Sequence, residues 1–294
     1  MRGKNNRNKE KLNELDGKTW LKYSISVWDI AKTPEEMKLG HPAMFPQELC
    51  ERLIKIYTKA GDVVLDPFMG SGSVLVTAKK LGRKGIGFEI VPEYVELAKK
   101  RLQDVKILAQ TVQIKLDVFA QDAKKLEDVQ IKKGIEQLDL EPEIYLEDAR
   151  NLSKYLRPES VDFCLTSPPY WNVHRRERTA DRKEPRPYSE MQNDLGNIPD
   201  YNMFLNELKS VFQQVYTVLK KRKRCVIVVM DLRVEDKFIP FHIDITQMMQ
   251  SIGFTLEDII IWDRRAEYNN LRPLGYPYVF IVNKVHEYIL IFRR

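Results

Sequence analysis

The chain reads as an α/β protein with a mainly parallel sheet covered on both faces by helices. Short apolar, β-branched strands alternate with amphipathic helical stretches along most of the 294 residues, the pattern of a parallel sheet buried on both sides. Two strands run directly into loops of special composition, Asp66–Ser73 and Thr166–Trp171, at the strand ends where open α/β sheets bind ligands. With 43% hydrophobic and 31% charged residues, the chain can build one large domain with a full core.

The elements follow in order. Residues 1–19 are polar and aperiodic and read as a mobile arm. Tyr23–Ile30 is a short strand or an extended segment. Pro46–Ala60 is a helix, with Leu49, Leu53, Ile54 and Tyr57 on one stripe and Gly61 just past its end. Val63–Asp66 is a buried strand, Ser73–Leu81 a helix ended by Gly82, and Gly85–Ile90 the next strand. Pro92 opens a helix, where its missing N–H costs nothing.

From Glu93 to Lys133 there is neither Gly nor Pro. Val95, Ala98, Leu102, Val105, Ala109, Val112, Leu116, Phe119, Ala123 and Leu126 recur at spacings of three and four, which predicts a continuous helix over 95–126. Its first part packs on the sheet. The rest, a helical insertion at about 104–141, projects as an arm or folds back as a hairpin. It is either intramolecular or a seam for a homodimer or partner. Ile144–Glu147 and Val161–Thr166 re-enter the sheet, and a charged loop covers about 172–200. Tyr201–Leu219 is a helix, Cys225–Asp231 a strand and Ile239–Ser251 a helix ended by Gly253. Thr255–Trp262 and Glu287–Phe292 pair as the last strands.

Composition bounds the setting. A net charge of +6 suits a polyanionic partner. No apolar run approaches the roughly 20 residues that span a bilayer, so no membrane partner is expected. The start, Met1–Asp16, is polar and charged rather than leader-like. Cys50, Cys164 and Cys225 lack metal-binding spacing, which suits reduced structural thiols and a cytoplasmic, prokaryotic setting with no metal.

The loop Asp66–Ser73 carries a Gly-x-Gly turn at Gly70 and Gly72, where backbone can approach a ligand that a side chain would block. Such a pair also arises by chance. Here Glu89 ends the next strand, placed to accept from both ribose hydroxyls of a nucleoside. Leu75 stands where a dinucleotide fingerprint has its third Gly, and no Gly-Lys-Ser/Thr appears. A nucleoside cofactor without pyrophosphate fits best, and S-adenosyl-L-methionine is the obvious one. Asp148 either accepts from an adenine amino group or caps the segment starting at Ala149.

The loop Ser167-Pro168-Pro169-Tyr170 suits methylation of an exocyclic amine. The lone pair of such an amine is delocalised into its ring, so a site must hold the NH2 with acceptors. Ser167 Oγ and the Pro168 carbonyl are the candidates. Proline has no N–H and a fixed φ, so Pro168-Pro169 is stiff and donor-free. Tyr170 is placed to stack on a base pulled from its helix.

At these residues the chain resembles the amino-methyltransferases of restriction–modification systems, in their cytosine-N4 branch. Asp66–Gly72 matches the cofactor motif, with its Phe and Gly positions on Phe68, Gly70 and Gly72. Ser167–Tyr170 matches the catalytic motif, whose Ser is typical of N4-cytosine members; the adenine-N6 branch usually has Asp or Asn there. His41–Pro46, including Phe45, Gly87–Ile90 through Leu97, and His286–Leu290 also look like the family. The resemblance implies a Rossmann-like class I S-adenosyl-L-methionine-dependent methyltransferase domain over 20–294, with a seven-stranded sheet. It implies DNA methylation at N4 of a flipped-out cytosine in a short sequence, and a cognate restriction endonuclease as a possible partner. Many N4-cytosine members place the catalytic motif first; here the cofactor motif leads, so the same fold is circularly permuted.

For nucleic acid, the first candidates lie just past the catalytic loop: Trp171, Arg175, Arg176, Arg178 and Arg182. The loop at about 263–284, with Arg264 and Arg265, is the second. The denser run Lys220–Arg224 precedes a strand, at the opposite edge of the sheet, and reads as a solvated turn. Three rival functions remain: an N6-adenine DNA methyltransferase, an RNA base methyltransferase, and a nucleic-acid-binding regulator on a methyltransferase fold.

Overall fold

The computed structural model of the chain describes residues 11–38, 44–105, 140–175, 188–267, 271 and 273–294. Ten strands are described: β1 (Val27–Trp28), β2 (Val63–Asp66), β3 (Lys84–Glu89), β4 (Glu143–Leu146), β5 (Val161–Thr166), β6 (Leu219–Val229), β7 (Leu232–Val234), β8 (Lys237–Ile239), β9 (Thr255–Asp263) and β10 (His286–Arg293). The helices are α1 (Gly17–Tyr23), α2 (Pro34–Lys38), α3 (Gln47–Tyr57), α4 (Ser73–Lys80), α5 (Pro92–Gln103), α6 (Tyr201–Val218) and α7 (Phe241–Ile252). Among the described residues, none is long and apolar enough to cross a membrane.

Eight strands form one sheet in the order β4-β3-β2-β5-β6-β10-β9-β1. β10 runs antiparallel between β6 and β9, and every other pairing is parallel. This is the Rossmann-like class I arrangement with one strand more than expected. The addition is β1, which pairs Val27 and Trp28 with Ile261 and Trp262. On one face, α3, α4 and α5 bury Leu49, Leu53, Val74, Leu75 and Ala98 against the sheet. On the other, α6 and α7 bury Phe204, Leu208, Phe212, Phe241 and Ile245. Cys164 and Cys225 face each other across β5 and β6, and all three cysteines are buried free thiols.

Several expectations need correction. Of the arm expected over 1–19, residues 11–19 are docked. Asn13 Nδ2 donates to Ile56 O at 2.7 Å, Glu14 pairs with Arg83 at 3.1 Å, and Asp16 caps α1 through the Lys18 and Thr19 amides. α5 ends at Gln103, where the Asp104 amide turns back to Leu102 O, so no unbroken helix runs over 95–126. Most of that heptad run, and of the insertion at 104–141, lies outside the described residues.

The basic run Lys220–Arg224 is not a turn before a strand but the first half of β6. Acids neutralise it from neighbouring elements: Lys220 and Lys223 meet Asp162 at 2.8 and 3.0 Å, and Arg224 meets Glu257 at 2.9 Å. The short hairpin β7–β8 has no counterpart in the sequence reading.

Candidate active site

β2 and β5 are neighbours, so their two loops leave the sheet side by side. One hydrogen bond ties the strand ends: Thr166 Oγ1 donates to Asp66 Oδ1 at 2.7 Å. The same oxygen accepts the Phe68 amide at 3.1 Å and so starts the turn. Burial pushes the Asp66 carboxyl up to about 7, and the nearby Glu89 adds to the effect. Gly70 and Gly72 hold φ of +51° and +78°, the left-handed region that glycine enters without cost. At Gly72 a side chain is excluded twice over, since a Cβ there would lie 2.9 Å from Ala98 Cβ on α5.

Glu89, at the end of β3, holds the turn from below. One of its oxygens accepts the Gly70 amide at 2.8 Å and the other the Val91 amide at 2.9 Å. Burial raises its pKa while these amides oppose the rise. Each oxygen keeps a second acceptor position. Asp148, past β4, takes the capping role: it accepts the Arg150 amide at 2.9 Å and grips the Arg150 guanidinium at 2.6 Å. It also lines the cleft beside Glu147 and Ala149.

These loops enclose a cleft of about 440 Å³, lined by Phe45, Asp66, Phe68, Gly70, Glu89 and Asp148 and by all of Ser167, Pro168, Pro169 and Tyr170. The cofactor candidates and the catalytic candidates therefore share one cavity, except Gly72. Gly72 is the N-cap residue of α4 and shapes the turn rather than the wall. The size suits a nucleoside-bearing ligand with a base beside it.

The catalytic loop is wired into the sheet. Ser167 Oγ donates to the Tyr170 hydroxyl at 3.2 Å, and that hydroxyl donates to Glu287 Oε2 at 3.1 Å. Burial, reinforced by Glu287, drives the Tyr170 phenol well above its usual range, so it remains a donor. Glu287 is itself buried and pairs with Arg264, which also reaches Glu267 at 2.5 Å. Lys32 completes this end of the cleft, and burial lowers its pKa.

Two residues expected at nucleic acid are instead part of the scaffold. Arg264 lies in the cleft wall, its guanidinium tied to Glu287 and Glu267 and set over the Trp262 ring at 4.8 Å. Trp171 is buried; its indole donates to Ile198 O at 2.9 Å and its ring meets Tyr201 edge-on. Tyr170 likewise packs edge-on against Phe241, and its hydroxyl points into the Ser167–Glu287 chain. Arg265 is exposed at the surface and bound to Asp263 at 2.6 Å. The side chains of Arg175, Arg176, Arg178 and Arg182 lie outside the described residues.

The sequence reading missed Glu287, Lys32, Tyr94, Tyr188, Asp194 and Glu267 as cleft residues. Tyr188–Leu195 folds back over the cavity, held by Asp194, which accepts from Gly196 N at 2.8 Å and from Ser189 Oγ at 2.6 Å. The family-like stretch His286–Leu290 was the one sequence signal pointing to Glu287.

Comparison with known proteins adds to this geometry. The model of a family described as DNA methylase matches residues 2–100 and 161–294. Type II methyltransferase M2.DpnII of Streptococcus pneumoniae is 46% identical over 79 residues, which span 26% of this chain and 30% of that protein. Type II methyltransferase M.HpaI of Haemophilus parainfluenzae is 50% identical over 79 residues, 26% of this chain and 25% of its own length. The match thus covers less than a third of each of these two relatives. Among solved structures, TTHA0409 of Thermus thermophilus, complexed with S-adenosyl-L-methionine, is 30% identical over 50% of this chain and 51% of its own, with a TM-score of 0.36.

Proposed function

Since the chain belongs to the DNA methylase family, the amino-methyltransferases of restriction–modification systems, we propose that it transfers a methyl group from S-adenosyl-L-methionine to the exocyclic N4 of a cytosine turned out of DNA. The observation that carries this reading is the donor chain Ser167–Tyr170–Glu287 opening into the same cavity as the Glu89-held glycine turn.

The residues of the first half fit the cofactor. Glu89 has acceptor positions left for two ribose hydroxyls, Asp148 lies on the wall for an adenine amino group, and Phe45 and Phe68 offer apolar surface. Bound there, the cofactor supplies a methyl carbon on a sulfonium that leaves with the electron pair of the broken bond. The protein holds the acceptor amine. Because Ser167 Oγ gives its own proton to Tyr170, its lone pairs face the amine as acceptors. The Pro168 carbonyl takes the second N–H. Both pull the amine nitrogen out of conjugation toward a tetrahedral form.

As nitrogen bonds to the methyl carbon it becomes acidic and must lose one proton. Ser167 Oγ accepts that proton and passes its own to Tyr170, which passes its own to Glu287. No covalent enzyme intermediate forms. Arg264 steadies the Glu287 carboxylate at the end of the chain. A cognate restriction endonuclease and a homodimer belong to the same proposal; a strictly monomeric species in light scattering removes the latter.

The test is methyl transfer to unmethylated DNA by the wild type and by Ser167→Ala. The reading expects near-complete loss of transfer in the variant with cofactor affinity retained. Full rate in Ser167→Ala contradicts it.

A further inference from the structure

A second cavity, of about 260 Å³, lies back to back with the cleft. Two segments form the shared wall, and their residues alternate between the cavities. Met230 and Leu232 line the cleft, while Asp231 and Arg233 line the second cavity. Glu287 of β10 faces the cleft, while His286 and Tyr288 face the second cavity. Both cavities therefore open at the sheet edge where β6 ends and β10 begins.

The second cavity is basic and aromatic. Arg233 and Lys284 sit over the same ring, Phe238, at 5.6 and 6.0 Å from its centroid. Among the described residues neither makes a salt bridge to a carboxylate. The one acid lining the cavity, Asp231, is already engaged, since its Oδ1 lies 2.6 Å from His242 Nδ1 and accepts the His242 amide at 3.2 Å. Lys284 donates to the Asp231 carbonyl, at 2.5 Å. Burial lowers its pKa to about 8 and the neighbouring Arg233 adds to the fall, while Asp231 opposes it. The chain entering the cavity at Val282 comes from a segment whose rings face solvent: Tyr278 is 91% and Phe280 92% exposed.

We propose that this cavity takes a backbone phosphate of the DNA strand beside the target base, held by Arg233, Lys284 and His286. Two cations with one carboxylate, Asp231, between them leave the cavity a net positive charge over an apolar floor, which matches a phosphate, and the shared wall puts that phosphate next to the flipped nucleotide. Tyr278 and Phe280 then offer stacking surface to neighbouring bases. The inference rests on the DNA reading above.

The test is DNA binding by the full chain as a function of salt, with a labelled unmethylated duplex. Each lost phosphate contact lowers the slope of log affinity against log salt by about 1. Arg233→Gln and Lys284→Gln are each expected to lower it by part of that amount, and the double variant by about 1, and each to raise KM for DNA with kcat at saturating DNA retained. Arg233→Lys keeps the charge and is expected to keep the slope. Lys221→Gln, at the opposite edge of the sheet, serves as control and is expected to change little. A wild type that binds and methylates DNA, with both Gln variants at the wild-type slope, overturns this inference alone. A wild type that binds no DNA overturns it together with the DNA reading.

Discussion

Replacing Tyr170 with Phe removes a single oxygen from the proposed proton path and leaves the ring packed on Phe241. That oxygen accepts from Ser167 at 3.2 Å and donates to Glu287 at 3.1 Å; its contact with Val228 O, at 3.4 Å, is too long to add much. A neutral hydrogen bond contributes about 1 kcal/mol net, and one to a charged group about 1.5–3 kcal/mol. Severing both puts roughly 2.5–4 kcal/mol at stake. Part of this is ground-state packing, because Glu287 keeps Arg264 and Ser167 can turn to another acceptor. If about 2 kcal/mol acts on the transition state, kcat falls roughly 30-fold. The assay is single-turnover methyl transfer, with cofactor affinity measured alongside. Affinity is expected to stay within about twofold, since Tyr170 touches neither the glycine turn nor Glu89. A variant that transfers at the wild-type rate refutes the relay. An equal loss in cofactor affinity refutes it too, by moving Tyr170 to the cofactor's side of the cleft.

Three further outcomes are expected. Glu89→Gln keeps the side chain's size but turns an NH2 toward the Gly70 or Val91 amide, so cofactor affinity falls about 10- to 100-fold; calorimetry showing unchanged affinity contradicts the assignment. Asp66 is raised to about 7 when folded against 3.8 as its ordinary value, so the folded chain holds a proton that the unfolded chain releases between those limits. Stability is therefore full below about pH 4 and is lost as pH rises through about 7, by at most roughly 4 kcal/mol. Asp66→Asn is expected to flatten that fall in urea unfolding across pH, and an unchanged profile contradicts it. Gly72→Ala meets both the left-handed backbone and Ala98, and is expected to cost roughly 2–4 kcal/mol of unfolding free energy, read from the urea midpoint; an unmoved midpoint contradicts it, since the backbone cost remains even if α5 gives way.

What was legible in the sequence was local. A buried strand, a glycine turn and a helix follow one another within Val63–Lys80, so the turn chemistry and the position of Asp66 can be read without knowing the fold. The same holds for the proline loop after β5. Glu287 was not legible as a partner of Tyr170, because the pair is 117 residues apart and meets only when β10 inserts antiparallel beside β6. Arg264 misled for the related reason that charge in a loop suggests solvent, whereas here a buried carboxylate and the Trp262 ring draw it inward. Trp171 sat in a basic neighbourhood of the sequence, yet its indole is spent on Ile198. The run Lys220–Arg224 looked like a turn because strands rarely carry so many cations, and only the acids on neighbouring elements make it a strand. The hairpin β7–β8 is too short to show a period.

The most direct measurement of the central claim is nucleoside mass spectrometry. The purified chain is incubated with isotopically methyl-labelled S-adenosyl-L-methionine and, separately, unmethylated genomic DNA and total RNA. The account predicts label in N4-methyldeoxycytidine. Label in N6-methyldeoxyadenosine, or in RNA alone, contradicts it.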